Sequence, residues 1–242
     1  MRASLAALLL LLSAFGAAAQ TRTDINMVVA LDRSESISSL DAALQIQGLI
    51  YALKHPEFLA AIQFGEHRRI GVSVIKWSSF NRYATLLPWQ IVADKADADR
   101  VSAMLGLLLL QGPGSDDGSQ TDVALGIERG MAMLAEAPTA ASKEVINMIA
   151  DGISNIGHVA VVERDAAMAR GITINALILA QGSAIRVLTS YYRREVIGGP
   201  ASFVLHTPGH EDFARAMLRK MLVEVAELNR QIRDDELGGM RG

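Results

Sequence analysis

The chain has 242 residues, 50% of them hydrophobic, 20% charged and 5% aromatic, with 23 Lys and Arg against 26 Asp and Glu and no cysteine. An apolar fraction this high excludes a disordered chain, and the lack of cysteine excludes a disulfide scaffold, a thiolate metal site and a Cys nucleophile. A formal net charge of −3 argues against general nucleic-acid binding, which relies on Lys/Arg stripes.

Residues 1–19 have the pattern of an address. Arg2 precedes a nearly unbroken apolar run over residues 5–12, and Ala17-Ala18-Ala19 offers small residues ahead of Gln20. This is the pattern of a cleaved secretory signal peptide; the run is shorter than the roughly 20 residues that span a bilayer. The expected organisation is a signal over 1–19, one domain over 20–233 and a flexible tail over 234–242. The expected location is outside the cytoplasm, periplasmic or secreted, with no membrane span after cleavage.

Along the rest of the chain, short apolar runs alternate with amphipathic stretches. Residues 25–31 predict a buried strand. A long helical pattern over 41–64 follows; Ser38 and Asp41 make a capping box for it and Pro56 interrupts it. Residues 70–77 predict a second strand and 95–110 a helix. Residues 111–120 form a glycine-rich polar loop that opens a helix over 122–135. Residues 145–150 predict a strand ending at Asp151-Gly152, 159–170 a helix, and 172–178 a strand after the helix stop Gly171. A last strand is expected over 202–205 and a last helix over 213–228. The scarcity of aromatics leaves Ala, Leu, Ile, Val and Met to build the core. The alternation predicts an α/β fold, a doubly wound, mostly parallel open sheet with helices on both faces.

Sites in such sheets form at the carboxyl ends of strands, near the point where strand order reverses. The first predicted strand runs into Asp32-Arg33-Ser34-Glu35-Ser36, the 145–150 strand into Asp151-Gly152, and the glycine-rich loop ends in Gly118-Ser119-Gln120-Thr121. Asp32, Ser34, Ser36, Thr121 and Asp151 all supply oxygen, the donor that hard cations prefer. Two carboxylates brought together at two strand ends repel unless a cation lies between them. Against this stands a plainer account, in which the serines cap the next helix and Asp151 anchors a turn with Gly152 at positive φ.

Asp-x-Ser-x-Ser after an apolar strand, a Thr opening a helix after a Gly-rich loop, and Asp-Gly after a later strand together resemble the von Willebrand factor A domain and its metal-ion-dependent adhesion site. The resemblance extends over nearly the whole chain past the signal. It implies a Rossmann-like sheet, Asp32, Ser34, Ser36, Thr121 and Asp151 as ligands of Mg²⁺ or Mn²⁺, with Ca²⁺ behind them, and a protein partner that presents Asp or Glu to the cation. This sequence departs from the commoner pattern at Arg33 and Glu35, which put charge in the variable positions, and in reading Gly-Ser-Gln-Thr in the loop. The segment 191–200, beginning Tyr191-Tyr192-Arg193-Arg194, is also similar to an uncharacterised family of exported bacterial proteins with an A-like domain.

Other motifs carry less. His206 and His210 are separated by Pro208 and Gly209, which break one-face geometry. The loop over 112–118 lacks the Lys-Ser/Thr ending of a phosphate loop, and its Asp116 and Asp117 fit a solvated loop better than a calcium site. Arg193 and Arg194 fit a solvated face. The leading expectation is a non-enzymatic protein-binding module. The alternatives are a metal-dependent phosphoester hydrolase on the same oxygen site, which lacks a His or Lys in the strand-end motifs, and an A-like fold with an inactive site.

Overall fold

Apolar runs and amphipathic stretches assemble, in a computed structural model of the chain that describes residues 21–111, 119–207 and 212–239, into one sheet covered on both faces. The elements are β1 (Arg22–Asp32), α1 (Ser39–Lys54), α2 (Pro56–Ile62), β2 (Ile70–Trp77), β3 (Tyr83–Val92), α3 (Lys95–Gln111), α4 (Val123–Ala135), β4 (Ala140–Ala150), α5 (Ala160–Ala169), β5 (Thr173–Leu179), α6 (Ala184–Tyr191), a π-helical turn (Tyr192–Val196), β6 (Val204–Thr207) and α7 (Phe213–Gly239). The strand order is β3-β2-β1-β4-β5-β6. Every pairing is parallel except β2 with β3. The order reverses between β1 and β4, so the crevice that such sheets offer to ligands opens where Asp32 and Asp151 leave the sheet.

Alternation along the strands divides the core. Ile25, Met27, Val29 and Leu31 of β1 pack with α1, α2, α3 and α7, while Val28 and Ala30 pack with α4, α5 and the π-helical turn. Both faces are apolar, as expected of strands covered on two sides. Gly126 lets α4 lie close over the sheet: a Cβ there would stand 2.8 Å from the Trp77 ring.

Several boundaries follow directly from local chemistry. Ser38 and Asp41 form the expected capping box at α1, and Pro56 ends one helix and begins the next at N1, where its missing N–H costs nothing. Gly171 takes φ +79° at the stop of α5. Other boundaries differ from the sequence expectation. The strand β3 was not expected; it pairs antiparallel at the sheet edge, and its register with β2 shifts at Pro88-Trp89, a bulge where proline is tolerated. Its hairpin turn holds Phe80 and Asn81 at φ +51° and +60°, a turn normally written with Asn-Gly. α6 and the π-helical turn were also unforeseen. The last strand is Val204–Thr207, two residues later than expected. α7 continues past residue 228, so the backbone of 234–239, expected as tail, is helical.

The segment 1–19, the loop residues 112–118 with Asp116 and Asp117, and Pro208, Gly209 and His210 lie outside the described residues. Among the described residues, no helix is long and apolar enough to cross a membrane.

Candidate functional site at the carboxyl ends of β1 and β4

Asp32 is the last residue of β1 and is completely buried. The chain then turns sharply: the Ser34 N–H donates to Asp32 Oδ1 at 2.8 Å, the Arg33 N–H bonds back to the Trp77 carbonyl, and the Ile37 N–H bonds back to Ser34. This turn brings both serine hydroxyls together. Ser34 Oγ and Ser36 Oγ are 3.1 Å apart. Ser36 Oγ donates to Asp151 Oδ1 at 2.7 Å, which joins the end of β1 to the loop after β4. Ser34 is buried, Asp151 half-buried and Ser36 exposed, so the cluster runs from the core out to solvent. Arg33 is buried and Glu35 exposed.

Thr121 completes the group. It is 5% exposed, and a Cβ on Gly152 would stand 3.6 Å from its Oγ1, so the hydroxyl lies beside the Asp151 turn. Asn155 grips Thr121 by both backbone groups: its Oδ1 accepts from the Thr121 N–H at 2.8 Å and its own N–H donates to the Thr121 carbonyl at 3.0 Å. Ser154 Oγ accepts from the Val123 N–H at 3.1 Å, and Asp122 caps α4 through the Leu125 N–H. All five residues singled out from the sequence therefore converge. One detail of the turn-anchor account fails, because Gly152 does not take a positive φ.

The electrostatics are unfavourable as they stand. Asp32 Oδ2 is buried and accepts no hydrogen bond from any described residue. Burial, above all, pushes the Asp32 carboxyl up from 3.8 to about 7; the charge of Asp151 adds to the rise, and the Ser34 N–H and hydroxyl and the Asp151 N–H oppose it. The Asp151 carboxyl is also raised, first by burial, against the Ser36 hydroxyl, with Asp41 contributing like charge. Trp77, in register with Asp32, is fully buried, and its indole N–H likewise finds no described partner. Among the described residues no group of three or more His, Asp or Glu comes together; here two carboxylates are joined by three hydroxyls. An all-oxygen donor set with one desolvated, unsatisfied carboxylate oxygen fits a hard divalent cation.

The described histidines are elsewhere. His55 caps α2, His158 meets Glu163 at 2.8 Å, and His206 is exposed on β6. Arg193 and Arg194 are exposed, as expected of a solvated face.

Sequence reasoning missed the shell around the site. Tyr192, 0% exposed, donates its hydroxyl to the Gly152 carbonyl at 3.1 Å, and the Tyr191 hydroxyl accepts from the Ser154 N–H at 3.4 Å. Burial raises both phenols, Tyr192 well above 10, with Asp32 adding to that rise. The polar pair Ser154-Asn155, one residue after Asp151-Gly152, was the available signal for part of this shell; nothing local connects the tyrosines to it.

The family described as "Protein of unknown function (DUF1194)" matches residues 22–229. No curated protein matches the chain. Among solved structures, the chain is similar to the pilus adhesin SpaC from Lactobacillus rhamnosus GG (14% identity, TM-score 0.57, covering 86% of this chain and 31% of the adhesin). It is also similar to proximal thread matrix protein 1 from the mussel byssus (18%, TM-score 0.55, 86% and 49%) and to manganese-loaded TRAP protein of Plasmodium vivax (11%, TM-score 0.52, 82% and 73%). The chain thus spans about a third of the adhesin and half of the byssus protein. At these identities the likeness concerns the fold alone, which is α/β and von Willebrand factor A-like.

Proposed function

The chain belongs to the DUF1194 family, whose description assigns no activity, and from its strand-end site we propose that it is an exported protein-binding module of von Willebrand factor A type. Asp32, Ser34, Ser36, Thr121 and Asp151 would hold Mg²⁺ or Mn²⁺ there. Bound, the cation supplies a concentrated positive charge that attracts an Asp or Glu side chain of a protein partner, and a partly dry cleft strengthens that attraction relative to water. Asp32 holds the buried end of the donor set, Ser34 and Ser36 bridge to Asp151, and the exposed Ser36 leaves the site open to a partner. The reading is binding without turnover.

The observation that carries the proposal is the Asp32 carboxylate: buried, beside a second carboxylate, with one oxygen unsatisfied among the described residues. Burying an ionised carboxylate in this state is costly unless it is protonated or neutralised. The manganese carried by the Plasmodium TRAP protein and the adhesin role named for the pilus protein support the choice of cation and of a binding role. Export is supported by the sequence pattern of residues 1–19.

The test is a titration of Mg²⁺ and Mn²⁺ into EDTA-stripped protein, followed by melting temperature and calorimetry, with Asp151→Ala alongside. A saturable heat and a stabilisation, both lost in the variant, are expected; their absence in the parent protein sinks the proposal. A peptide array presenting Asp and Glu, probed with and without cation, then tests the partner chemistry. Hydrolysis of p-nitrophenyl phosphate that depends on Mn²⁺ and disappears in Asp32→Ala would replace the binding reading with the hydrolase.

A further inference from the structure

The two tyrosines at the end of α6 are not part of the ligand set, yet both reach its supporting loop. Tyr192 begins the π-helical turn, which closes through the Ile197 N–H donating to the Tyr192 carbonyl at 2.9 Å. Such i→i+5 turns are rare and cluster at functional places. At the start of this one, successive residues Tyr191 and Tyr192 stand edge to face with ring centroids 5.4 Å apart and both hydroxyls on one short segment, at the Gly152 carbonyl and the Ser154 N–H.

That segment is where the two halves of the donor set are tied together. Gly152 follows Asp151. Ser154 and Asn155 hold the Val123 N–H and both backbone groups of Thr121. The turn is itself anchored at its far end, where Gly198 exchanges two hydrogen bonds with Ile174 of β5 and the Arg164 guanidinium donates to the Arg194 carbonyl. The chain of contacts therefore runs from the sheet through the π-helical turn and the tyrosine hydroxyls to the 152–155 loop, and from there to Thr121 and Asp151.

We propose that Tyr192, seconded by Tyr191, is a positioning residue of the strand-end site: its buried hydroxyl on the Gly152 carbonyl sets where Asp151 and Thr121 stand relative to Asp32, Ser34 and Ser36. This rests on the cation reading given above. Groups that orient the residues holding a metal typically change its affinity about 10- to 100-fold when removed. A tyrosine that merely fills the core would not do so on losing one oxygen.

The experiment compares Tyr192→Phe, which keeps the ring, with Leu188→Ala, which removes a buried apolar side chain of α6 that carries no polar group. Mn²⁺ affinity is read by calorimetry, and backbone amide exchange at Thr121 and Asn155 is read without cation. In Tyr192→Phe, Mn²⁺ should bind about 10- to 100-fold more weakly, and the two amides should exchange faster, with a small loss of melting temperature. Leu188→Ala should melt earlier with unchanged affinity and unchanged exchange at those amides. Parent-like Mn²⁺ affinity in Tyr192→Phe overturns the inference. If the parent protein binds no cation, the cation reading fails by itself. The amides then decide the positioning role: faster exchange in Tyr192→Phe supports it, and parent-like exchange overturns it.

Discussion

Beneath α7, Lys220 and Glu224 are fully buried and every charged atom has a partner. Lys220 donates to Asn147 and to Glu224. Asn147 Nδ2 and Asn175 Nδ2 donate to the two Glu224 oxygens at 2.9 and 3.1 Å, and the Phe203 N–H donates to Asn175 Oδ1 at 3.0 Å. At the carboxyl ends of β1 and β4, Asp32 is as deeply buried, but the charge that shifts it is that of another carboxylate, Asp151, and Oδ2 has no described partner. A closed network of this kind satisfies its own charges and ties α7 to β4 and β5. An open one leaves a buried charge to be answered by a proton or by a ligand.

The largest expected effect comes from breaking the closed network. Lys220→Met removes the buried ion-pair partner of Glu224 and should cost about 3–5 kcal/mol in urea unfolding. The double variant Lys220→Met with Glu224→Leu should recover much of that loss. A single variant as stable as the parent would show that the network is not closed as described.

The open site should respond in the opposite direction. The Asp32 carboxyl sits at about 7 in the folded protein against its ordinary 3.8, so the folded state holds a proton that the unfolded state gives up. Without cation, stability is therefore greatest below pH 4 as far as this group is concerned and declines as pH rises towards 7, by up to about 4 kcal/mol. Asp32→Asn should abolish this decline and raise the stability of the cation-free protein at pH 7. A variant that melts earlier than the parent there would contradict the raised carboxyl.

Cation should reverse the same penalty. At about 100 times its dissociation constant Mn²⁺ should add about 2.7 kcal/mol, less at pH 5, where the proton competes for Asp32. Melting curves at the two pH values measure this. The smallest effect serves as a control. Ser38→Ala removes the cap of α1 and should cost about 1 kcal/mol while leaving Mn²⁺ affinity as it is. A large loss of affinity would extend the site to the start of α1.

Much of the fold was legible because hydrophobic periodicity and stop signals are local. The apolar β1, β4 and β5 runs, the Ser38–Asp41 box, Pro56 and Gly171 marked elements without knowledge of their neighbours. β3 was not legible: it lies at the sheet edge, is interrupted by Pro88 and starts from a Phe80-Asn81 turn that carries no glycine. α6 and the π-helical turn were hidden for a similar reason, since their register depends on packing against β5 and the 152–155 loop.

For the site, the sequence by itself determined which residues carry oxygen and that they follow strand ends, because side-chain chemistry and strand termini are both properties of short segments. Only the tertiary structure decided that Asp32 and Asp151 meet, through a sheet order that sets β1 beside β4. It also decided that one Asp32 oxygen is buried without a described partner, and that Tyr191 and Tyr192 support the loop beside it. Burial depth and partnership are relations between segments far apart in the chain, and no local pattern encodes them.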